Sequence, residues 1–188
     1  MANKLFWNDT SVEPKRAFRW LFYLQGPDTG LPTYVARVVK KPSFTVSNVQ
    51  HQFVAHTFNF PGRIQWDPVE ITLVDPIADD ASTALTRILV ASGYKIPANQ
   101  QEAQYSFSRA KAVTAMGNPT IEMIDSDSNP IERWTLKNAW VERVDYGQLD
   151  YTSEEIVNIT LGIRYDYAEY FSGTDAASPI LAGSAQNG

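Results

Sequence analysis

Along most of this chain apolar residues recur at every second position, the period of a strand with one buried face. The pattern is sharpest where Val157, Ile159, Leu161, Ile163, Tyr165 and Tyr167 alternate with Asn158, Thr160, Gly162, Arg164 and Asp166, which predicts one closing strand over Ile156 to Tyr167. Val69, Ile71 and Leu73 against Glu70 and Thr72 give another. Pro76 cannot donate to a sheet ladder and should stop it. Phe18, Trp20, Phe22 and Leu24 share one face of a first strand over Ala17 to Gln25, and a second strand is expected over Tyr34 to Val39, after a Gly26 to Gly30 loop. From Ser43 to Phe60 the spacing suggests two extended arms around Ser47-Asn48, with Pro61-Gly62 as the turn that returns them to the body. Neither face of the second arm reads as cleanly polar, so the hairpin is buried on both sides or completed by another chain. Thr120 to Asp125, a turn at Asp127-Ser128-Asn129-Pro130, and Glu132 to Asp145 read as two further strands.

The period changes once with force. Asp79-Asp80 supplies carboxylates for a helix N-terminus, Ala84, Leu85, Ile88 and Leu89 form one apolar stripe, and Gly93 stands where the helix should stop. Lys95 to Tyr105 reads as a loop, with a short second helix possible over Ser108 to Met116. These elements form one domain over residues 16–171, between an N-terminal arm, 1–15, and a Gly-, Ala- and Ser-rich tail, 172–188, expected to be flexible or ordered by a partner.

Composition narrows the chemistry. The 188 residues include no cysteine, which excludes disulfides, thiolate catalysis and Cys-ligated metal within them. No apolar run approaches the roughly 20 residues of a membrane helix, and no signal-peptide core opens the chain, so the expected compartment is a cytoplasm. A net charge of −5 gives no general attraction for nucleic acid, yet suits a surface that DNA must pass without sticking.

Catalytic motifs are missing. There is no Gly-x-Ser-x-Gly, Gly-Lys-Ser/Thr or Gly-x-Gly-x-x-Gly, and the two histidines, His51 and His56, would point to opposite faces of a continuous strand. The acid pairs Asp79/Asp80 and Glu154/Glu155 are better read as a cap and a polar connection, and Asp125 to Asn129 as a hairpin turn. The sequons Asn8-Asp9-Thr10 and Asn158-Ile159-Thr160 read as chance matches. The expectation is a protein that is not an enzyme and needs no metal or cofactor.

The order of a strand, Lys41-Pro42-Ser43-Phe44, a long aromatic hairpin, Phe60-Pro61-Gly62-Arg63 with Trp66, and Val69-Glu70-Ile71-Thr72-Leu73, then an acidic helix start and an alternating last strand, resembles the tail tube proteins of contractile-tailed bacteriophages over roughly Pro14 to Tyr170. The resemblance implies a mainly β fold: two packed antiparallel sheets, as a sandwich or small barrel, with a flanking α-helix and a long extended hairpin. It implies homohexameric rings stacked into a tube inside the tail sheath protein, met by baseplate and tail terminator proteins, with double-stranded DNA passing through without specific binding. Such a protein belongs to the virion tail and assembles in the host cytoplasm. The tubes of phage-like bacteriocins and type VI secretion look related. A single-ring terminator or initiator, a secretion-type injection tube, and a monomeric carbohydrate-binding or hydrolase β domain are the alternatives. Candidate ring or channel residues are Ser43, Thr45, Thr57, Asn59, Asn158, Thr160, Arg164 and Asp166. Candidate stacking contacts are Phe6, Trp7, Ser47, Asn48, His51, Pro97 and Asn99.

Overall fold

The strongly alternating segments supply the centres of two sheets. In the computed structural model, residues 13–27, 29–78 and 80–173 are described. Phe6, Trp7, the Asn8 sequon, Asp28, Asp79 and the tail from residue 174 lie outside them.

The strands are β1 (Trp20–Gly26), β2 (Thr29–Leu31), β3 (Ala36–Val39), β4 (Phe44–Phe53), β5 (His56–Trp66), β6 (Val69–Val74), β7 (Thr120–Ile124), β8 (Pro130–Lys137), β9 (Trp140–Asp145), β10 (Asn158–Arg164) and β11 (Tyr167–Ser172). Two helices, α1 (Ala81–Ala91) and α2 (Arg109–Met116), complete the body. One sheet has the order β11-β8-β7-β1-β2, a second β3-β6-β10-β9, and β4 with β5 forms a separate ribbon. Every pairing is antiparallel, and among the described residues no sheet closes into a barrel. Of the sandwich and the small barrel, the fold is the sandwich.

The core lies between the larger sheets. Val69, Ile71 and Leu73 from β6 and Ile159, Leu161 and Ile163 from β10 meet Phe22, Leu24, Ile121 and Leu136 from the other sheet, all buried. Period-two burial is what placed them there, because alternate side chains on a strand point to one face. Helix α1 buries Ala81, Leu85 and Ile88. Its start is capped twice: Asp80 accepts from the Ser82 amide at 2.9 Å, and Asp75 accepts from the Ala81 amide at 3.0 Å and the Ser82 hydroxyl at 2.7 Å. The short second helix forms as expected, capped by Ser108 and stopped at Gly117 with φ 69°.

Several boundaries differ from the sequence reading. The expected strand from Glu132 to Asp145 is two strands in different sheets, because Asn138 takes a left-handed φ of 54° and turns the chain. The expected closing strand from Ile156 to Tyr167 likewise breaks after Arg164, and β11 crosses to the other sheet. One carboxylate ties these corners: Asp166 accepts from Asn138 Nδ2 at 2.7 Å and from Arg109, while its amide donates to the Lys137 carbonyl at 3.1 Å. Part of the Gly26 to Gly30 loop is β2, Thr33–Val35 is a 3-10 turn ahead of β3, and the loop after α1 contains a 3-10 turn at Glu102–Gln104. Phe18 is exposed and outside β1.

Candidate functional site

Ten residues of β4 and eleven of β5 make a ribbon that projects from the sandwich. Its tip is Val54-Ala55, with Val54 at φ 52° and 93% exposed, and not Ser47-Asn48 as the sequence suggested. Asn48, Val49, Gln50, His51, Gln52 and Phe53 stand opposite Pro61, Phe60, Asn59, Phe58, Thr57 and His56 respectively. Cross-strand partners share a face. Val49, His51 and Phe53 therefore join Phe60, Phe58 and His56 on one side, while Asn48, Gln50 and Gln52 join Pro61, Asn59 and Thr57 on the other.

Nearer the base, Phe44 pairs with Trp66 and Val46 with Ile64. On a regular strand Phe44 and Val46 would point away from Val49 and Phe53. They do: Gly62 and Arg63 of β5 both stand against Ser47 of β4, so the bulge adds its extra residue to β5, β4 keeps its alternation, and Phe44, Val46, Ile64 and Trp66 lie on the side of Asn48, Gln50 and Gln52. Between the tip and the bulge the two faces are cleanly separated, which corrects the mixed reading of the second arm there, and at the bulge the apolar residues change sides. His51 and His56 also share a face, because they sit on opposite arms and not on one continuous strand.

Pro61-Gly62 lies inside β5, and Gly62 has no positive φ. What requires glycine here is a close approach: a Cβ would stand 2.3 Å from Ser47 Oγ and 3.0 Å from the Ser47 carbonyl oxygen. Ser47 Oγ accepts from the Arg63 amide at 2.8 Å, so the hydroxyl satisfies a group freed by the bulge.

The ribbon is fastened at its base. Ser43 Oγ donates to Asp67 at 3.0 Å, and the Asp67 amide donates to the Ser43 carbonyl at 2.9 Å. Phe44 packs edge-on against Trp66 at 5.3 Å between ring centres, and Trp66 against the buried Tyr165 at 5.9 Å. Burial, then the negative charge of Asp67, pushes the Tyr165 phenol up to about 12. Behind the ribbon the buried Glu132 accepts from Lys15 at 2.5 Å, from Lys41 at 2.6 Å and from Trp134 Nε1 at 2.7 Å. Burial opposes its charge, but these hydrogen bonds prevail and hold the carboxyl at about 2. By its local pattern Glu132 reads only as a strand start; a buried acid that answers two distant lysines has no local signature.

The outward face of the four-stranded sheet is the second surface. Asn158 and Thr160 form a row on β10 across from Val74 and Thr72 on β6, with Arg164 further along. Arg164 donates to Glu142 at 3.1 and 2.5 Å, Arg143 to Asp145 at 2.9 Å, and Arg37 to Asn158 at 3.2 Å. It is a polar wall whose charges largely pair.

The structure groups Thr57 and Asn59 on the polar side of the ribbon and Asn158, Thr160 and Arg164 on this wall, while Thr45 shares the side of Val49 and Phe53. Asp166 is apart, at the sheet corners, and Ser43 belongs to the ribbon's fastening. Among the stacking candidates, Asn48 bonds Asn59 at 2.9 Å, Ser47 stands opposite the bulge, and His51 is on the apolar face. Pro97 and Asn99 lie on the α1–α2 loop, where Asn99 Oδ1 accepts from the Gln101 and Glu102 amides at 3.1 and 2.9 Å. Among the described residues no three His, Cys, Asp or Glu side chains are placed to hold a metal, and no helix is long and apolar enough to cross a membrane.

A chain in the anti-feeding prophage (AFP) baseplate has a similar fold, with 18% identity, a TM-score of 0.62, and coverage of 86% of this chain and 97% of that one. A chain in the extended sheath-tube complex of an extracellular contractile injection system, PVC, gives 15% identity, a TM-score of 0.60, and coverage of 85% and 92%. One in the PVC sheath/tube terminator gives 15%, 0.62, 86% and 99%. No curated protein matches the sequence. Residues 54–169 match the model of a family described as T4-like virus tail tube protein gp19, a span that takes in all of β5, both helices and the sheet strands from β6 to β10. The chain therefore belongs to the family of T4-like tail tube proteins, which are structural tube components and not enzymes.

Proposed function

We propose that the protein forms homohexameric rings that stack into the inner tube of a contractile phage tail, the conduit for double-stranded DNA. The observation that carries this reading is the ribbon's exposed apolar surface. Phe44, Val46, Val49, Phe53, Phe58, Phe60 and Ile64 are each 43–63% exposed in the isolated chain. Large aromatic side chains carry about 150–250 Å² each, so these residues leave on the order of 700 Å² of apolar surface open over the two sides of the ribbon, close to one partner's share of a standard interface. A neighbouring copy that covers it removes that surface from water.

In the ring, β3 and β9, the edges of the four-stranded sheet, pair with the sheets of neighbours, which removes two exposed ladders. The polar wall, with the uncharged Thr57 and Asn59 of the ribbon, faces the channel. Paired charges there leave few free cations to hold phosphates, so DNA slides without binding. The tail sheath protein surrounds the tube, baseplate and tail terminator proteins meet its ends, and assembly takes place in the host cytoplasm.

Electron microscopy of purified protein, with an initiating complex supplied, tests the reading: stacked six-fold rings are expected. Chains that stay monomeric at high concentration under those conditions would sink it. The likeness to the PVC sheath/tube terminator, as strong as that to the AFP chain, favours a single-ring role as the second reading. Isolated rings that never stack would select it.

A further inference from the structure

A second apolar surface stands open on the body. Helix α1, helix α2 and strand β9 enclose a groove of about 770 Å³. Leu89, Phe107, Ala112, Trp140, Val144 and Tyr146 line it. Leu89 belongs to the helix stripe that the sequence assigned to the core, yet it is 39% exposed because it faces this groove. The charged groups at the rim are already paired: Arg109 with Asp166, Glu142 with Arg164, and Arg143 with Asp145. The other depression beside α1 is lined by Ser82, Thr83, Thr86 and Arg87 with Val90 and Ala91, and offers no comparable apolar floor.

We propose that this groove receives the distal part of the ribbon of a neighbouring copy, with Phe53, Phe58 and Phe60 as the inserted side chains. The proposal rests on the tube reading and adds the acceptor surface. Three features favour this occupant. The ribbon's proximal apolar residues are supported by their own body through Phe44, Trp66 and Tyr165, which leaves the distal ones without cover. The groove's volume suits a few large side chains and not a whole two-stranded ribbon. Donor and acceptor are both free of unpaired carboxylates and ammonium groups, so docking strands no charge in an apolar contact. Each copy carries one donor and one acceptor on different elements, and such a heterologous contact propagates from copy to copy until it closes a ring or extends a filament.

The absence of native cysteine makes the test clean. A chain carrying Phe58→Cys and Leu89→Cys is assembled, treated with a short bismaleimide and run on a denaturing gel. The double variant is expected to give a ladder of dimers, trimers and longer species. An equal mixture of the two single variants should stop at dimers, and each single variant should stay monomeric. Phe60→Cys with Trp140→Cys is the second pair, should the first impair assembly. Assembled tubes whose paired cysteines do not cross-link, in either pair, overturn the proposal and leave the tube reading standing. Cross-linking of Trp7→Cys to Leu89→Cys, in place of the ribbon, overturns it by assigning the groove to the N-terminal arm. A wild-type chain that forms neither rings nor tubes removes the reading on which the proposal rests, and the proposal with it.

Discussion

The sandwich and the ribbon are built from the same kind of residue and do opposite things with it. In the sandwich, Val69, Ile71, Leu73, Ile159, Leu161 and Ile163 are essentially inaccessible. In the ribbon, residues of the same size and the same period stand about half exposed. The difference is the number of layers: each large sheet has a second sheet to cover its apolar face, and the two-stranded ribbon has none. A two-stranded ribbon is marginal alone in water. This one is held by the fastenings at its base and is completed, in our reading, by another copy. Core residues should therefore control whether the chain folds, and ribbon residues whether the folded chain assembles.

The largest expected effect is on the sandwich side. Leu161→Ala removes a fully buried side chain from the middle of β10 and should cost about 2–5 kcal/mol, read as a lowered midpoint in chemical denaturation. If Leu161→Ala leaves the midpoint in place, the core is misassigned.

Glu132 probes the junction. Its folded carboxyl titrates at about 2, well below its ordinary value of 4.5, so the stabilisation is present above pH 4.5 and is lost as pH falls toward 2. Lys15 and Lys41 are partly exposed, which screens their contribution, and the loss should be about 2 kcal/mol. Glu132→Gln should be less stable near neutral pH and show a flatter acid limb. Equal acid sensitivity of both proteins would count against the clamp.

Phe58→Ser on the ribbon should change monomer stability by only about 0.5 kcal/mol, because the side chain is half exposed, yet suppress tube formation. Sedimentation and thermal melting on the same sample separate the two. A large drop in melting temperature would erase the distinction between the regions. Gly62→Ala is subtler: the new Cβ meets Ser47 Oγ, and the bulge must give way. Assembly should weaken, with partial recovery on adding Ser47→Gly, which also removes the hydroxyl that the Cβ would meet. Unaltered tubes from Gly62→Ala would show that assembly does not depend on the bulge.

The smallest effect belongs to the polar wall. Arg164→Gln breaks a part-exposed ion pair with Glu142 and should cost about 0.5 kcal/mol or less. A larger loss would mean that the wall is part of the core's support.

Much of the body was legible because its signals are local. Period-two alternation identified the buried faces of β6 and β10, and the caps and stop of α1 stood in the residues around Asp80 and Gly93. Resemblance added the tube family, which the match over residues 54–169 bears out. Other features needed the third dimension. Alternation runs unbroken through Tyr165 and Tyr167, and nothing in it says that the chain changes sheets at Asp166; partners from Asn138 and Arg109 make that corner. The ribbon's faces depended on a one-residue bulge in β5, which brings Pro61, Asn59 and Thr57 to the side of Ile64 and Trp66 where an unbroken alternation would set them opposite. The tip at Val54-Ala55 in turn sets the two histidines on opposite arms and on one face, which the spacing along a single strand does not show. The sequence by itself determined which strands carry apolar faces, since that requires only the spacing of neighbours along the backbone. Which of those faces are covered, and which remain for another molecule, was decided by tertiary structure, because cover comes from residues distant in the chain.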